Sequence, residues 1–528
     1  LNVAVGRQAL AANTTGACNT AVGQGALTTN TTGTGNTAIA RQALFLNTEG
    51  DDNIALGNTS LCANTTGDNN VAIGRLALRN NTTANENVGI GKEALCANQT
   101  GTANTAVGTC SLKVNTASNN TAIGSSALTA NTTGVSNVAL GAYSLDENTT
   151  GADNVAIGTY ALTRVTTACY NTAVGTAAAQ SITTGANNVA VGYLALEANT
   201  IGACNAAVGT NALDSNTSGG RNVALGFEAL ASNTTASFNT ALGAQSLFTN
   251  TTGANNTAVG LQALYANTTA SDNTAVGYAA LVANTTGAGN VAVGKDALTG
   301  NTTADNNTAV GFCALNANTT GTGNVGIGRY ALRDNTTAGG NTAMGINALI
   351  TNTIGDGLLA LGQNAMYANT TGSSNAALGH SSLESNTTGS YNTAVGKSSL
   401  GANTTGIRNT AVGFLAMCAA SGASNENTAL GYSAGCTIST GDENVMLGYR
   451  AGYDVTTGSC NVMIGSTAHI DSGGTNNSIS IGYNIVGIAN ALTFGCAATD
   501  SRIAFGATSI TAPSDMRLKE DIQDDTAG

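Results

Sequence analysis

The sequence has no tryptophan, a single proline and two histidines among 528 residues, and 9% of it is charged, against roughly 25% in ordinary globular domains. Each shortage excludes something. Aromatic residues make up 4% of the chain. With 17 Lys and Arg against 29 Asp and Glu, the net charge is −12, which argues against nucleic acid as a partner. No apolar run approaches the ~20 residues of a membrane-spanning helix, so membrane insertion is not expected. There is no initiator Met and no secretory leader. Leu1 is the last residue of an interrupted repeat unit, which suggests a piece of a longer chain.

What is present is one phrase, repeated. Asn256-Thr257-Ala258-Val259-Gly260-Leu261-Gln262-Ala263-Leu264-Tyr265-Ala266-Asn267-Thr268-Thr269-Ala270-Ser271-Asp272 is seventeen residues long, and Asn273 begins it again. Numbering the positions as slots 1 to 17 makes Asn256 slot 1 and Gly260 slot 5. Counting slot-5 residues from Gly6 to Gly482, with Ala40 as the one substitute, gives 29 units. One step has sixteen residues (Gly108 to Gly124) and one has eighteen (Gly413 to Gly431). Length alone would suggest several domains, but an internal repeat overrides that prior.

Slot 4 is Val, Ile, Leu or Met in every unit, slot 3 is nearly always Ala, and slot 9 is Leu or Met from Leu10 to Met417 except at Ala179. Charge collects in slots 6, 7, 10, 16 and 17, as at Lys92, Glu93, Lys295, Asp296, Arg333, Asp51 and Asp52. A helical period does not explain this, and recurrent Gly among β-branched Thr and Val disfavours helix. The pattern predicts an all-β, parallel β-solenoid (β-roll) of about 29 coils. In each coil slots 1–4 form a short strand, Gly bends the chain, slots 7–10 form a second short strand, and Asn-Thr-Thr-Gly turns it. Identical slots then stack about 4.8 Å apart. Slot 4 and slot 9 are expected to fill a thin core, and the Asn slots 1 and 12 to form ladders up the stack. Both faces of the slot 1–4 strand read as buried. One packs on its own coil and the other needs a partner, which suggests a homo-oligomer, most simply a homotrimer.

Four segments are expected: regular coils over 1–418, variant coils over 419–485, an irregular β cap over 486–513, and a distinct stretch over 514–528. In the variant coils slot 9 becomes Gly435, Gly452 and His469.

Several literal motifs fall inside the period and are read as coil geometry. Gly321-Thr322-Gly323-Asn324-Val325-Gly326 spells a dinucleotide fingerprint with no helix predicted to follow, so no cofactor is expected. Gly431-Tyr432-Ser433-Ala434-Gly435 spells a nucleophile elbow, but neither His380 nor His469 is tied to it by pattern. Asn13-Thr14-Thr15 and its copies are turn residues rather than glycan acceptors. The eleven cysteines match neither a disulfide framework nor a metal spacing, and no metal is expected. Cys418 and Cys436 alone share a slot in adjacent coils, where a disulfide is conceivable, and the extra residue between them favours free thiols. Asp51-Asp52 and Asp442-Glu443 read as solvated turns rather than calcium ligands.

Two resemblances bear on function. The repeated Asn-Thr-Ala-Val-Gly-x-x-Ala over residues 2–485 resembles the head repeats of trimeric autotransporter adhesins, which implies a left-handed β-roll in a homotrimer; similar repeats occur in phage fibres. Ser514-Asp515-Met516-Arg517-Leu518-Lys519-Glu520-Asp521-Ile522 resembles the opening of the endosialidase-type intramolecular chaperone domain, found mostly on phage tail fibres and tailspikes. That resemblance implies self-cleavage between Ser514 and Asp515, with Ser514 as nucleophile and Lys519 as its base partner. Only 14 residues follow Ser514, far fewer than that domain's length. Apart from such processing, no enzymatic activity is expected. These readings point to the shaft of a virion tail fibre, assembled in the host cytoplasm. Its partners would be other virion tail proteins and a host cell-surface receptor, a glycan or a surface protein. A bacterial surface adhesin and an ice-binding solenoid are the alternatives.

Overall fold

The fold is that of a computed structural model, which describes residues 1–497 and 500–507. Among these residues there is no α-helix, and the architecture is a parallel β-solenoid following the seventeen-residue spacing. The chain divides into two compact units, Leu1–Asp272 and Asn273–Gly528. The first contains the three-residue strands β1 (Val3–Val5) to β16 (Thr257–Val259). The second opens with β17 (Thr274–Val276) and continues such strands to β28 (Val462–Ile464).

Each strand occupies slots 2 to 4 and pairs in parallel, slot against slot: Val3 faces Thr20, Ala4 faces Ala21 and Val5 faces Val22. The sixteen-residue coil keeps this register, with Thr105 opposite Thr121. So does the eighteen-residue coil, with Thr410 opposite Thr428. Both length changes fall after slot 12, in the turn, where a residue can be lost or gained without shifting a strand.

The second leg of the coil is not a strand, contrary to the sequence reading. It runs as a chain of turns, because slots 7 and 9 are left-handed: Gln42 has φ 55° and Leu44 φ 50°. Slot 17 is left-handed as well, as at Asp52 (φ 52°). Ordinary side chains pay about 1–2 kcal/mol for this conformation, and each coil holds about three. The inter-coil hydrogen bonds offset that cost. Slot 7 donates to the coil before it (Gln42 N to Gln24 O, 2.9 Å) and slot 9 to the coil after it (Leu44 N to Ser60 O, 3.0 Å). The backbone ladder therefore continues through a leg that is not extended. A coil without neighbours would keep the strain and lose the bonds.

The core is narrower than the sequence suggested, and slot 4 lies outside it. The fully buried side chains are slot-3 Ala, slot-8 Ala or Ser and slot-9 Leu, as in Ala38, Ala43 and Leu44, together with the Asn of slots 1 and 12. Leu264 is buried as expected, but Val259 is not. In a strand, alternate side chains point to opposite faces, so slots 1 and 3 point in and slots 2 and 4 point out. At each slot-9 Leu, burial contributes about 2 kcal/mol.

The buried Asn residues hold the coil closed and the stack together. In one coil Asn36 Nδ2 donates to Gly50 O (2.7 Å) and Asn47 Nδ2 donates to the same oxygen (2.9 Å). Between coils, Asn47 Nδ2 donates to Asn30 Oδ1 (2.8 Å), and Asn36 N donates to Asn19 Oδ1 (2.9 Å). The slot-12 ladder is interrupted where Asn is replaced by buried apolar residues, and the replacements come in adjacent coils: Val165 with Ile182, then Ala420, Ile438 and Val455. The last Asn before each interruption has an acceptor with no donor, Asn148 Oδ1 in the first case and Asn403 Oδ1 in the second. Asn98 Oδ1 is the third, at the sixteen-residue coil.

Near the C-terminal end, core volume is exchanged between slots. Slot 9 becomes Gly435 and Gly452 while slot 3 becomes Met446 and Met463, both fully buried. A Cβ on Gly435 would lie 2.6 Å from Met446 Sδ. The stacking then changes character. Strand β29 (His469–Ile470) pairs with β31 (Val486–Gly487). Strand β30 (Ser478–Tyr483) pairs in parallel with β32 (Ala491–Cys496), and β33 (Ser501–Ala504) runs antiparallel to β32.

Candidate functional site

The residues implied in self-cleavage, Ser514, Asp515 and Lys519, lie outside the described residues. The described part offers surfaces rather than a cleft, and each follows from which slots point outward.

The first surface is the outer face of the strands. Slots 2 and 4 present Thr, Val, Ile, Leu, Ala and Met, and no charged residue occupies either slot in any of the 29 units. Slot 4 is nowhere buried, reaching 58% exposure at Val5 in the first coil and 51% at Leu225 within the stack. A contiguous apolar stripe of this kind marks an interaction surface. The sequence held a signal that separates it from the core. Slots 3, 8 and 9 keep nearly constant volume, because tightly stacked interiors tolerate little change. Slot 4 moves freely among Val, Ile, Leu and Met, as an outward position can.

The second surface is the slot-6 column beside the stripe, where Phe414, Tyr432 and Tyr449 stack with ring centroids 5.3 Å apart. The same rise brings Tyr143 onto Tyr160 in slot 7 and Phe248 onto Tyr265 in slot 10.

The third is the edge at slots 16 and 17, where the sequence collects charge. Slot 16 is in part structural. Its side chain accepts from the slot-16 backbone of the preceding coil: Asp51 Oδ1 from Thr34 N (2.7 Å), Ser271 Oγ from Ala254 N (3.0 Å), and Asp442 Oδ1 from Asn425 N (2.6 Å). Where slot 16 holds Asp, Asn or Ser, the short side chain can supply this acceptor. Ser271 therefore belongs to the ladder as well as to the surface.

The literal motifs resolve into coil geometry. Residues 321–326 form a turn leading into the strand Val325–Ile327, and residues 431–435 a bend and turn after the strand Thr428–Leu430. No α-helix follows either. Ser433 is left-handed (φ 50°) and buried. His469 Nδ1 lies 2.9 Å from Thr467 O, with its ring against Tyr453.

Cys418 and Cys436 do not form a disulfide, and Cys418 Sγ lies 3.6 Å from Cys436 O. Burial pushes the Cys62, Cys96 and Cys418 thiols above their ordinary values, with Arg79 partly opposing this at the first two. Glu93 is held low, chiefly by its hydrogen bond from Lys113 (2.9 Å). Asp146 is pushed up to about 6 by burial and by neighbouring Glu147. Among the described residues, no group of three His, Cys, Asp or Glu could hold a metal ion, and no helix is long and apolar enough to cross a membrane.

In comparisons with known proteins, the chain matches no family model and no curated sequence. The class supported by the fold is that of a β-solenoid repeat protein.

Proposed function

We propose that this chain forms the shaft of a virion fibre of the phage-tail type, a homotrimer that spans a distance and presents receptor-binding surface to a host cell. The observation that carries the reading is the slot 2 and slot 4 stripe. Slot 4 is aliphatic and outward in every coil and neither slot is ever charged, so an isolated chain would expose the stripe throughout. Three copies related by an axis along the stack would cover one another's stripes, leaving slots 6, 7, 10 and 17 free to vary. The resemblance of residues 514–522 to the start of a self-cleaving fibre chaperone supports a virion location. On that reading Ser514 and Lys519 act only in release of the chaperone, which Ser514→Ala in a precursor carrying the complete domain would block.

The trimer is tested by native mass spectrometry of the chain and of Val107→Asp/Leu140→Asp/Val174→Asp, three outward positions in the first unit. The wild type is expected as a trimer and the variant as a folded monomer. A monomeric wild type would overturn the reading. Location is tested by immunogold labelling of virions and host cells with an antibody to the coil; label on the bacterial envelope alone would favour an adhesin.

One observation favours a second reading. The outward face pairs Thr in slot 2 with an aliphatic in slot 4 on an uncharged parallel ladder, a surface suited to ordering ice. Thermal hysteresis by the wild type, lost on replacing the Thr20, Thr37, Thr105 and Thr121 hydroxyls with Val, would support it.

A further inference from the structure

In the first 113 residues the charges are sorted by slot. The cations Arg7, Arg41, Arg75 and Lys92 occupy slot 6, and Arg79 and Lys113 occupy slot 10. The acids Glu49, Asp51, Asp52, Asp68 and Glu86 occupy slots 14 to 17, across the strand. Glu93 alone crosses over, and it is held by Lys92 (3.7 Å) and Lys113 (2.9 Å). Arg41, Arg75 and Arg79 are exposed, and none forms an ion pair among the described residues. These three guanidinium groups line one depression of about 380 Å³, together with Gln42, Asn58 and Thr59.

We infer that this depression binds an anionic polysaccharide through its carboxylate or sulfate groups. A guanidinium offers a planar fork matched to two oxygens of an oxyanion, and such charge-assisted bonds are the strong ones. Gln42, Asn58 and Thr59 supply neutral donors for the hydroxyl groups of a sugar. The spacing selects a polymer. Arg7, Arg41 and Arg75 share slot 6 at every second coil, which places them roughly 10 Å apart along the stack. An extended chain of pyranose rings carrying one acid per two sugars repeats on that scale. Duplex phosphates are far denser, which disfavours nucleic acid. The net charge of −12 opposes binding, but at physiological salt the Debye length is about 8 Å. The acids across the strand are then screened while the three arginines act at contact. Each site is weak, and repetition along one ligand chain raises the apparent affinity. The inference stands apart from the fibre reading, since it concerns binding by the chain wherever the chain resides.

The test is biolayer interferometry of the full chain on hyaluronate, which carries one carboxylate per two sugars, κ-carrageenan, which carries one sulfate per two sugars, neutral dextran and duplex DNA. Binding is expected to hyaluronate or κ-carrageenan, the response separating carboxylate from sulfate, and to weaken with salt. Arg41→Gln/Arg75→Gln/Arg79→Gln should bind at least about tenfold more weakly, as expected for lost charged hydrogen bonds. Arg164→Gln/Arg221→Gln/Arg450→Gln removes as much charge from positions outside slots 6 and 10 and should leave affinity unchanged. No binding above neutral dextran, equal loss in both variants, or tighter binding to DNA would overturn the inference.

Discussion

The slot-12 ladder makes a prediction about pairs of residues rather than single ones. Asn64 Nδ2 donates to Asn47 Oδ1 (2.8 Å) and to Gly67 O (2.8 Å), and Asn64 Oδ1 accepts from Asn81 Nδ2 (2.9 Å). Asn64→Val removes all three bonds. Gly67 O keeps its bond from Asn53 Nδ2, and Asn81 Nδ2 keeps Ala84 O. Asn47 Oδ1 is left buried with no donor, at a cost of about 1–3 kcal/mol beyond the lost bonds. Asn81→Val does the same to Asn64 Oδ1. The double variant leaves only one orphan, Asn47 Oδ1, because the second would-be orphan has been removed. The two changes should therefore cost about 1–3 kcal/mol less together than the sum of the singles. Hydrogen–deuterium exchange by mass spectrometry over residues 40–105 reads the local opening free energy for each variant. Strictly additive costs would refute the ladder argument. The natural pair Val165 and Ile182, in adjacent coils, has the form the calculation favours.

Two further predictions follow from other sites. Ala40 replaces the slot-5 glycine and sits at φ 117°, so Ala40→Gly should stabilise its coil by about 1–2 kcal/mol, opposite in sign to the usual entropic effect of glycine. Slower exchange around residue 40 would be the evidence, and faster exchange would refute it. Asp146 holds its proton more tightly when folded, up to about 6 against an ordinary 3.8. Between those values the folded state binds more protons than the unfolded one, so stability falls as pH rises through the window, and the whole penalty is present above it. Asp146→Asn should stabilise the fold at pH 7.5 by about 1 kcal/mol after allowance for solvent screening, read as a higher melting temperature, and give no gain below pH about 4. An equal gain at both pH values would exclude the titration.

The coil, its parallel register and the buried Leu264 were legible because repetition fixes which slots stack on which. Four things were not. Slot 4 carries the most apolar residues in the unit, and hydrophobicity alone cannot tell an interior from an outward face that needs covering. The second leg was read as strand because its left-handed positions, such as Gln42 and Leu44, are occupied by ordinary residues, and local propensity offers no warning when tertiary bonding overrides it. The structural share of slot 16 was hidden because Asp51 and Ser271 are polar in either role. The depression at Arg41, Arg75 and Arg79 was visible only as scattered charge, since its three coils meet in space through the stack.

The ladder interruptions have a consequence for how the chain finds its place. Where coils are alike, Asn81 could dock on Asn47 as readily as Asn64 does, looping out one whole coil at little cost to the interior. Uniform stretches cannot detect that mistake. The sixteen-residue coil at Asn104–Asn119, the Val165–Ile182 pair and the Met446–Gly435 exchange can, since each fits only its own neighbour. They act as the numbered marks on an otherwise featureless tape, and the defects in the repeat are what let the repeat be read in one frame.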